Sequence, residues 1–397
     1  MGDMTDTISI LERLVSFPTV SADSNLALID FVESYLTERG FAVHRTVNED
    51  GTKAGLFARL TPKDGAVDGA VDGAVDGAGV LLSAHSDVVP VAGQNWHVDP
   101  FTLTAEDDKL YGRGTTDMKG FLAAMLSLAD RASKVDLKSP LSLAVSYDEE
   151  VGCVGIRRMI DDMEPGIGLP DLCIIGEPTD MQPTIGHKGK LSLRATCIGQ
   201  SGHSALAPQF VNALHLASEF VIGLTALQET IAESGLKDEA YSVPYSTIHV
   251  GTLSGGTALN IVPDRADIEF EIRHLAADDP DALLARVVEV AREIEDRYRP
   301  RFDGAEIRID RVGGYPGLDM PAAHAAVDRV RALSGVNSIG KVAFGTEAGF
   351  FAERGIPTVV CGPGSMEGQG HKPDEYVTRD QLAACDRMLD RLLDQLT

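Results

Sequence analysis

The sequence predicts an α/β protein, a mixed-sheet domain into which a smaller two-layer α+β unit is inserted. Three observations predict it. Short apolar runs alternate with stretches whose apolar residues recur at helical spacing. Acidic residues and histidines stand just past the ends of those runs. Between Lys188 and Val312 the rhythm changes and then reverts.

Ile10, Leu11, Leu14 and Val15 recur as one face of a helix. Leu28, Phe31, Val32, Tyr35 and Leu36 do the same, and Gly40 ends that pattern. Phe41 to Val47 alternates like a strand, and Gly55 to Thr61 reads as its neighbour. From Asp64 to Gly77 the unit GAVD recurs in tandem. It has too little apolar bulk to build a core element, so an exposed loop is expected. Its aspartates match neither an EF-hand nor the longer calcium repeat. Val80 to Ser83 reads as a buried strand with His85 just beyond it. Met118 to Ala132 reads as a helix with Asp117 at its start. Leu141 to Ser146 is a strand ending at Asp148, Glu149 and Glu150, and Leu172 to Ile175 leads to Glu177. Thr358 to Cys361 runs through a glycine-rich stretch towards His371. Candidate ligands past the carboxyl ends of strands are the usual geometry of α/β sheets.

Within the inserted segment, Leu191 to Ile198 alternates and Asn212 to Leu227 is helical. Ile248 to Leu253 and Arg265 to Arg273 are strand-like, Asp281 to Tyr298 is helical, and Ala305 to Val312 closes with a strand. This β-α-β-β-α-β order is ferredoxin-like. The expected division is residues 1–187 and 313–397 for the larger domain, with 188–312 inserted as a lid or dimerisation module.

The chain has 397 residues, enough for two domains, and a formal net charge of -25. That charge excludes nucleic acid and anionic membranes as partners. No run approaches the length of a membrane span, and the stretch from Met1 to Leu14 is acidic where a signal peptide is basic. Cys153, Cys173, Cys197, Cys361 and Cys385 are scattered with no close pair, which suits a reducing, cytoplasmic setting.

The candidate site gathers His85, Asp87, Asp117, Glu149, Glu150, Glu177 and His371. Two cations about 3.5–4 Å apart need an anionic bridge, which a carboxylate supplies and a neutral imidazole does not. Asp117 is the best bridge, since glycines flank it in Gly112-Arg113-Gly114-Thr115-Thr116-Asp117-Met118-Lys119-Gly120. His85 and Glu177 then complete one cation, Glu150 and His371 the other. Asp87 is placed to accept the second ring N–H of His85 and fix its tautomer. Glu149 and Glu150 are adjacent, so their side chains diverge; Glu149 becomes the general base. Each piece alone is weak, since a solitary His-x-Asp is commonly loop chemistry and paired glutamates are commonly solvated. The joint pattern points to a metal hydrolase.

These segments resemble the dinuclear zinc deacylase and peptidase family. The marks are Ser83-Ala84-His85-Ser86-Asp87-Val88-Val89-Pro90, Gly112 to Gly120, Asp148-Glu149-Glu150, Gly176-Glu177-Pro178-Thr179 and Ser201-Gly202-His203-Ser204. The resemblance spans nearly the whole chain except the GAVD repeat. It implies a zinc-peptidase-like catalytic domain with a lid that also forms a homodimer. It implies His85, Asp117, Glu150, Glu177 and His371 as metal ligands, Glu149 as base and Asp87 behind His85. The cofactor expected is two divalent ions, zinc first, with cobalt or manganese also suited to these ligands. His203 resembles the histidine that reaches a partner's site and steadies the oxyanion. Gly186-His187-Lys188-Gly189, Gly345-Thr346-Glu347-Ala348, Gly362-Pro363-Gly364-Ser365 and His371-Lys372-Pro373-Asp374-Glu375-Tyr376 look most like the acetylornithine deacetylase branch. That branch implies hydrolysis of N2-acetyl-L-ornithine to acetate and L-ornithine, in arginine biosynthesis. Thr346 and Glu347 are then candidate substrate contacts, Glu347 as partner of an amine. Asn260 and Arg273 resemble residues that grip the substrate carboxylate, a task suited to the guanidinium fork. Alternatives are succinyl-diaminopimelate desuccinylation, a broader N-acyl-amino-acid amidohydrolase, and an inactive metal-binding scaffold. Glu149 argues against the scaffold, which needs no base.

Overall fold

The computed structural model describes residues 6–62 and 79–397. The GAVD segment, expected as an exposed loop, lies outside the described residues. The chain divides into two compact units. The first comprises the described residues up to Gly186 with Met320–Lys341 and Thr346–Thr397; the second comprises His187–Asp319 with Val342–Gly345.

The first unit is built on a mixed sheet. In spatial order its strands are Ala42–Val47, Ala54–Leu60, Leu141–Ser146, Val80–His85, Leu172–Pro178, Thr358–Gly362 and Thr184–His187. The strand Val80–His85 pairs in parallel with Leu141–Ser146 and Leu172–Pro178, and Thr358–Gly362 pairs in parallel with Leu172–Pro178. Ala54–Leu60 is antiparallel to both its neighbours. Every residue of Val80–His85 and of Leu141–Ser146 is buried. Central parallel strands are covered on both faces, so they read as continuous apolar runs without alternation.

The parallel strands point the same way, so their carboxyl ends share one edge of the sheet. His85 lies opposite Ser146, and Ser83 lies opposite Ile175. Two residues further on, His85 and Glu177 therefore leave their strands at the same level. The helix Lys119–Ala132 packs on these strands and against the helices Thr7–Val15 and Arg379–Leu396. All its residues but Arg131 are buried, which explains why Phe121 to Ala129 is apolar on every face but for Ser127. The helices Val154–Ile167, Ala325–Ser334, Ala348–Glu353 and Arg379–Leu396 complete this unit. In the last of them Leu382, Cys385, Met388, Leu389, Leu392 and Leu396 form the buried stripe, and the Thr378 hydroxyl caps its start by accepting the Gln381 N–H. Each buried leucine there contributes about 2 kcal/mol.

The four main-sheet strands and two long helices of the second unit follow in the order β-α-β-β-α-β, with the short strands Gly202–His203 and Ile261–Val262 paired apart from that sheet. Its antiparallel sheet runs Thr247–Gly255, Arg265–His274, Gly189–Ile198 and Glu306–Tyr315. Leu191, Leu193, Ala195 and Cys197 on one strand and Ala266, Ile268, Phe270 and Ile272 on the next face a core shared with the helices Ala213–Ser234 and Pro280–Tyr298. Alternate residues point away, so this sheet has one covered face. No helix among the described residues is long and apolar enough to cross a membrane. All five cysteines are buried and free.

Candidate metal centre

At the carboxyl edge of the first unit's sheet the chain concentrates His85, Asp87, Asp117, Glu149, Glu150, Glu177, Glu347 and His371. His85 ends its strand and is buried. Its Nδ1 lies 3.0 Å from the Asp87 backbone carbonyl, which can only accept, so Nδ1 carries the proton. That leaves Nε2 facing 3.1 Å from Asp117 Oδ1 and 3.9 Å from Glu177 Oε1. The other oxygen of Asp117, Oδ2, is 3.3 Å from His371 Nε2, which is in turn 3.0 Å from Glu150 Oε2. Asp117 thus offers one oxygen to each imidazole. Ligand atoms of His85, Glu149 and Glu177, and of His85, Asp117 and Glu150, each fall within 4.8 Å of one another. Either group could hold a metal ion.

One expectation needs correction. The tautomer of His85 is set by the Asp87 backbone carbonyl; the Asp87 carboxylate stands 3.6 Å from the ring. That carboxylate instead accepts the backbone N–H groups of Glu149 at 3.1 Å and Glu150 at 3.4 Å, and the Ser21 hydroxyl at 2.7 Å. It holds the turn that separates the two glutamates. The turn is made possible by Asp148, whose φ of 54° is left-handed, and His371 at φ 61° departs in the same way. Such backbone is costly and persists where the surroundings impose it. The Asp117–Met118 peptide is cis.

The electrostatics describe a cluster with more acid than base. Burial pushes Glu149 and Glu177 well above the ordinary carboxylate range, and neighbouring carboxylates add to the effect. Burial, aided by Asp117, pushes Glu150 up to about 7. Burial opposes ionisation of Asp117, but the hydrogen bonds from His371 and His85 outweigh it and hold Asp117 below the ordinary range. Burial likewise opposes protonation of His85, yet Asp117, Glu177 and Asp87 raise it well above its ordinary value. Hydrogen bonds to Asp117 and Glu150 raise His371 to about 10. Buried carboxylates in this excess hold protons unless cations replace them. The donor set of imidazole and carboxylate, with Nε2 of His85 aimed inwards, fits a divalent cation.

The other expected residues fall as follows. Glu347 is buried, burial pushes it up to about 7, and its Oε1 has no hydrogen-bond partner among the described residues. It is therefore no surface carboxylate. The buried Thr346 hydroxyl accepts the Ala348 N–H at 3.0 Å. His203 belongs to the second unit, exposed, in a short bridge with Ile261. Its Nδ1 accepts the Ala205 N–H at 3.0 Å, so a neutral ring carries its proton on Nε2 and can donate outwards. Asn260 sits beside it, its carbonyl accepting the Ser204 N–H. Arg273 lies near the far end of the Arg265–His274 strand, its guanidinium on Glu271 and the Tyr315 hydroxyl. Residues 265 and 273 of an extended strand are about 25 Å apart. Asn260 precedes the start of that strand, whereas Arg273 lies near its end. Sequence reasoning gave no role to Cys153, whose thiol donates to Glu149 Oε1 at 3.3 Å, or to Glu375. Cys153 stands four residues after Glu149, and only the tight turn between them brings the two together.

Peptidase family M20/M25/M40 matches residues 81–395. An acetylornithine deacetylase from Photorhabdus laumondii is 33% identical over 395 residues, 98% of this chain and 96% of that protein. Among solved structures, an M20 family metallo-carboxypeptidase from Sulfolobus solfataricus has a TM-score of 0.76 at 19% identity and covers 98% of each chain. A Bacillus subtilis protein described as a dinuclear metal binding peptidase from the M20 family has a TM-score of 0.65 at 15% identity, over 99% of this chain and 98% of that one. The solved structures establish likeness of fold, and the sequence match over almost the whole length establishes kinship. The chain belongs to peptidase family M20/M25/M40 and is a metal-dependent hydrolase.

Proposed function

We propose that the chain hydrolyses N2-acetyl-L-ornithine to L-ornithine and acetate, a step of arginine biosynthesis in the cytoplasm, with two divalent cations at the Asp117 cluster. One observation carries the chemistry: Asp117 turns one carboxylate oxygen to His85 and the other to His371. His85, Glu177 and Asp117 are assigned to one cation, and Asp117, Glu150 and His371 to the other. Zinc suits this donor set, and cobalt or manganese can replace it. Bound there, the pair supplies Lewis-acid polarisation of the acyl carbonyl and a more acidic water. Glu149 takes the proton of the attacking water and returns it to the departing nitrogen. Its buried position, which favours the protonated form, suits it to hold that proton between the two transfers.

The acetylornithine assignment rests on the full-length relative of that name. Glu347 supports it. A buried carboxylate with an unpartnered oxygen is costly alone and suits the free δ-amine of the substrate. Arg273 is assigned to the substrate carboxylate. The second unit is assigned as a ferredoxin-like lid that also pairs two copies, with His203 and Asn260 serving the partner's site. Its Thr247–Gly255 strand forms a sheet edge, and Leu206, Leu259 and Ile261 are exposed around the His203 bridge. Exposed apolar residues beside a polar site are the signature of an interface.

The test is side-by-side turnover by zinc- or cobalt-loaded protein of N2-acetyl-L-ornithine, N-succinyl-L,L-diaminopimelate and simple N-acetyl amino acids. The expected kcat/KM for acetylornithine is at least tenfold above the others. Preference for the succinyl substrate or equal use of all would remove the substrate assignment. Failure to cleave any of them with two ions bound would remove the chemistry as well.

A further inference from the structure

We infer that Glu375 is a positioning residue that locks the loop carrying Asp117 to the loop carrying His371, so that both loops present their ligands together. The inference rests on the two-cation reading of the cluster. Glu375 is buried, and its carboxylate accepts hydrogen bonds from four donors. Oε2 accepts from Arg113 Nη1 at 2.7 Å and from the Gly114 N–H at 3.0 Å. Oε1 accepts from the Thr116 N–H at 2.9 Å and the Asp117 N–H at 3.0 Å. The Glu375 carbonyl also accepts the Gly112 N–H at 3.0 Å. One carboxylate thus fixes the backbone of the Asp117 loop from a residue four positions after His371.

A second route joins the same loops. Arg113 Nη2 donates to Gln94 Oε1 at 2.7 Å, and Gln94 Nε2 donates to the His371 carbonyl at 3.0 Å. Trp96 lies under the Arg113 guanidinium, 5.0 Å from ring centre to carbon, and its indole N–H also reaches Gln94 Oε1 at 3.0 Å. His371 has a left-handed backbone and a half-exposed side chain, so little packing of its own fixes it. Glu375 and Arg113 supply that fixing from beneath.

The donor-only surroundings make a sharp distinction between two conservative replacements. In Glu375→Gln the side chain keeps its length, but whichever way the amide is turned its NH2 group meets two donors. Glu375→Asp is shorter, yet keeps acceptors only. A residue that merely fills space would tolerate Gln better than Asp; a residue that works by accepting would rank them the other way.

Wild type, E375Q and E375D are purified metal-free, and cobalt uptake is followed by calorimetry and by the visible absorption of the bound ion, well below each protein's Tm. The expected result is two ions per wild-type chain, affinity for at least one ion reduced tenfold or more in E375Q with an altered spectrum, and a smaller loss of at least threefold in E375D. Wild-type affinity and spectrum in folded E375Q, or E375Q binding as well as E375D, would overturn the inference. If E375Q does not fold, unchanged affinity in E375D overturns it and the threefold loss supports it. Uptake of fewer than two ions by wild type would instead defeat the two-cation reading, and the inference with it.

Discussion

Adjacent in sequence, Glu149 and Glu150 are separated by what holds them. Both backbone N–H groups are held by Asp87, but Glu150 Oε2 contacts His371, whereas Glu149 Oε1 receives the Cys153 thiol. The proposed roles follow from that: a ligand on one side of the turn, a proton carrier on the other. Glu149→Gln retains size and polarity but cannot carry a proton, so kcat should fall by about 10²–10⁴-fold. Metal content and Tm should stay near wild type. Histidine 203 gives a second arm, since it is proposed to act across a dimer. Co-expression of E149Q with His203→Ala chains places one intact constellation in each mixed dimer, so activity should reappear from two inactive parents. Absence of recovery in isolated mixed dimers would remove the cross-subunit role of His203, and full activity in E149Q alone would remove the base. Most of the residues to test were legible in the sequence, because His85, Glu149, Glu150 and Glu177 follow apolar strands, whereas Asp117 opens a helix and His203 was marked by the family resemblance alone. The task of Asp87 was not. Its carboxylate turns from His85 to the Glu149 and Glu150 amides because Asp148 adopts a left-handed backbone, and nothing in His-x-Asp announces that.

At the scale of elements, the site depends on how closely the Leu172–Pro178 strand approaches the Lys119–Ala132 helix. A Cβ on Gly176 would stand 1.8 Å from the Phe121 ring, whose side chain is fully buried. The ring has nowhere to go, so Gly176→Ala must move the strand or the helix. The expected cost is about 2–3 kcal/mol, at the upper end of overpacking effects. Because Glu177 and Asp117 sit at the facing ends of those elements, metal affinity should fall as well. Urea unfolding and metal titration check the pair of effects; a G176A protein unchanged in both would show that the contact is slack. The parallel strands were legible because burial on both faces gives largely apolar runs, interrupted only by small residues such as Ser83 and Ser142. Other elements gave mixed signals. The Val154–Ile167 helix starts after a left-handed Cys153 and contains Pro165, both signs of a break. The last turns of Ala213–Ser234 bury Ile231 but little else, so the periodicity fades at Leu227. The closing strand Glu306–Tyr315 runs beyond Val312 through a register shift between Arg311 and Gly313, which interrupts its alternation. The separation of Asn260 from Arg273 needed the strand register, in which Arg273 pairs with Lys190 at the start of the neighbouring strand.

At the scale of the whole molecule, a chain of net charge -25 buries several carboxylates at one sheet edge, so its stability is coupled to pH and to cations. Without cations, burial raises Glu150 and Glu347 from 4.5 to about 7. The folded state then holds protons that the unfolded chain releases between those values. Stability that depends on the neutral carboxyls is full below 4.5, declines as pH rises through that window, and is gone above about 7. Each glutamate accounts for about 3 kcal/mol at most, less once the two relieve one another. His371, raised from 6.5 to about 10 first of all by Asp117, which stays ionised, acts in the same direction: its protonated form stabilises the cation-free fold below 6.5, and this is lost as pH climbs towards 10. Bound cations reverse the balance, because they require the ionised carboxylates and a neutral imidazole. The gap in Tm between zinc-loaded and chelator-treated protein should therefore widen from pH 5.5 to pH 8.0, by several degrees at a fixed free zinc concentration. Thermal unfolding of both forms at the two pH values measures it. A gap that is constant or narrows with pH would mean that these carboxylates do not exchange protons for metal, and the cluster would lose its standing as the metal centre.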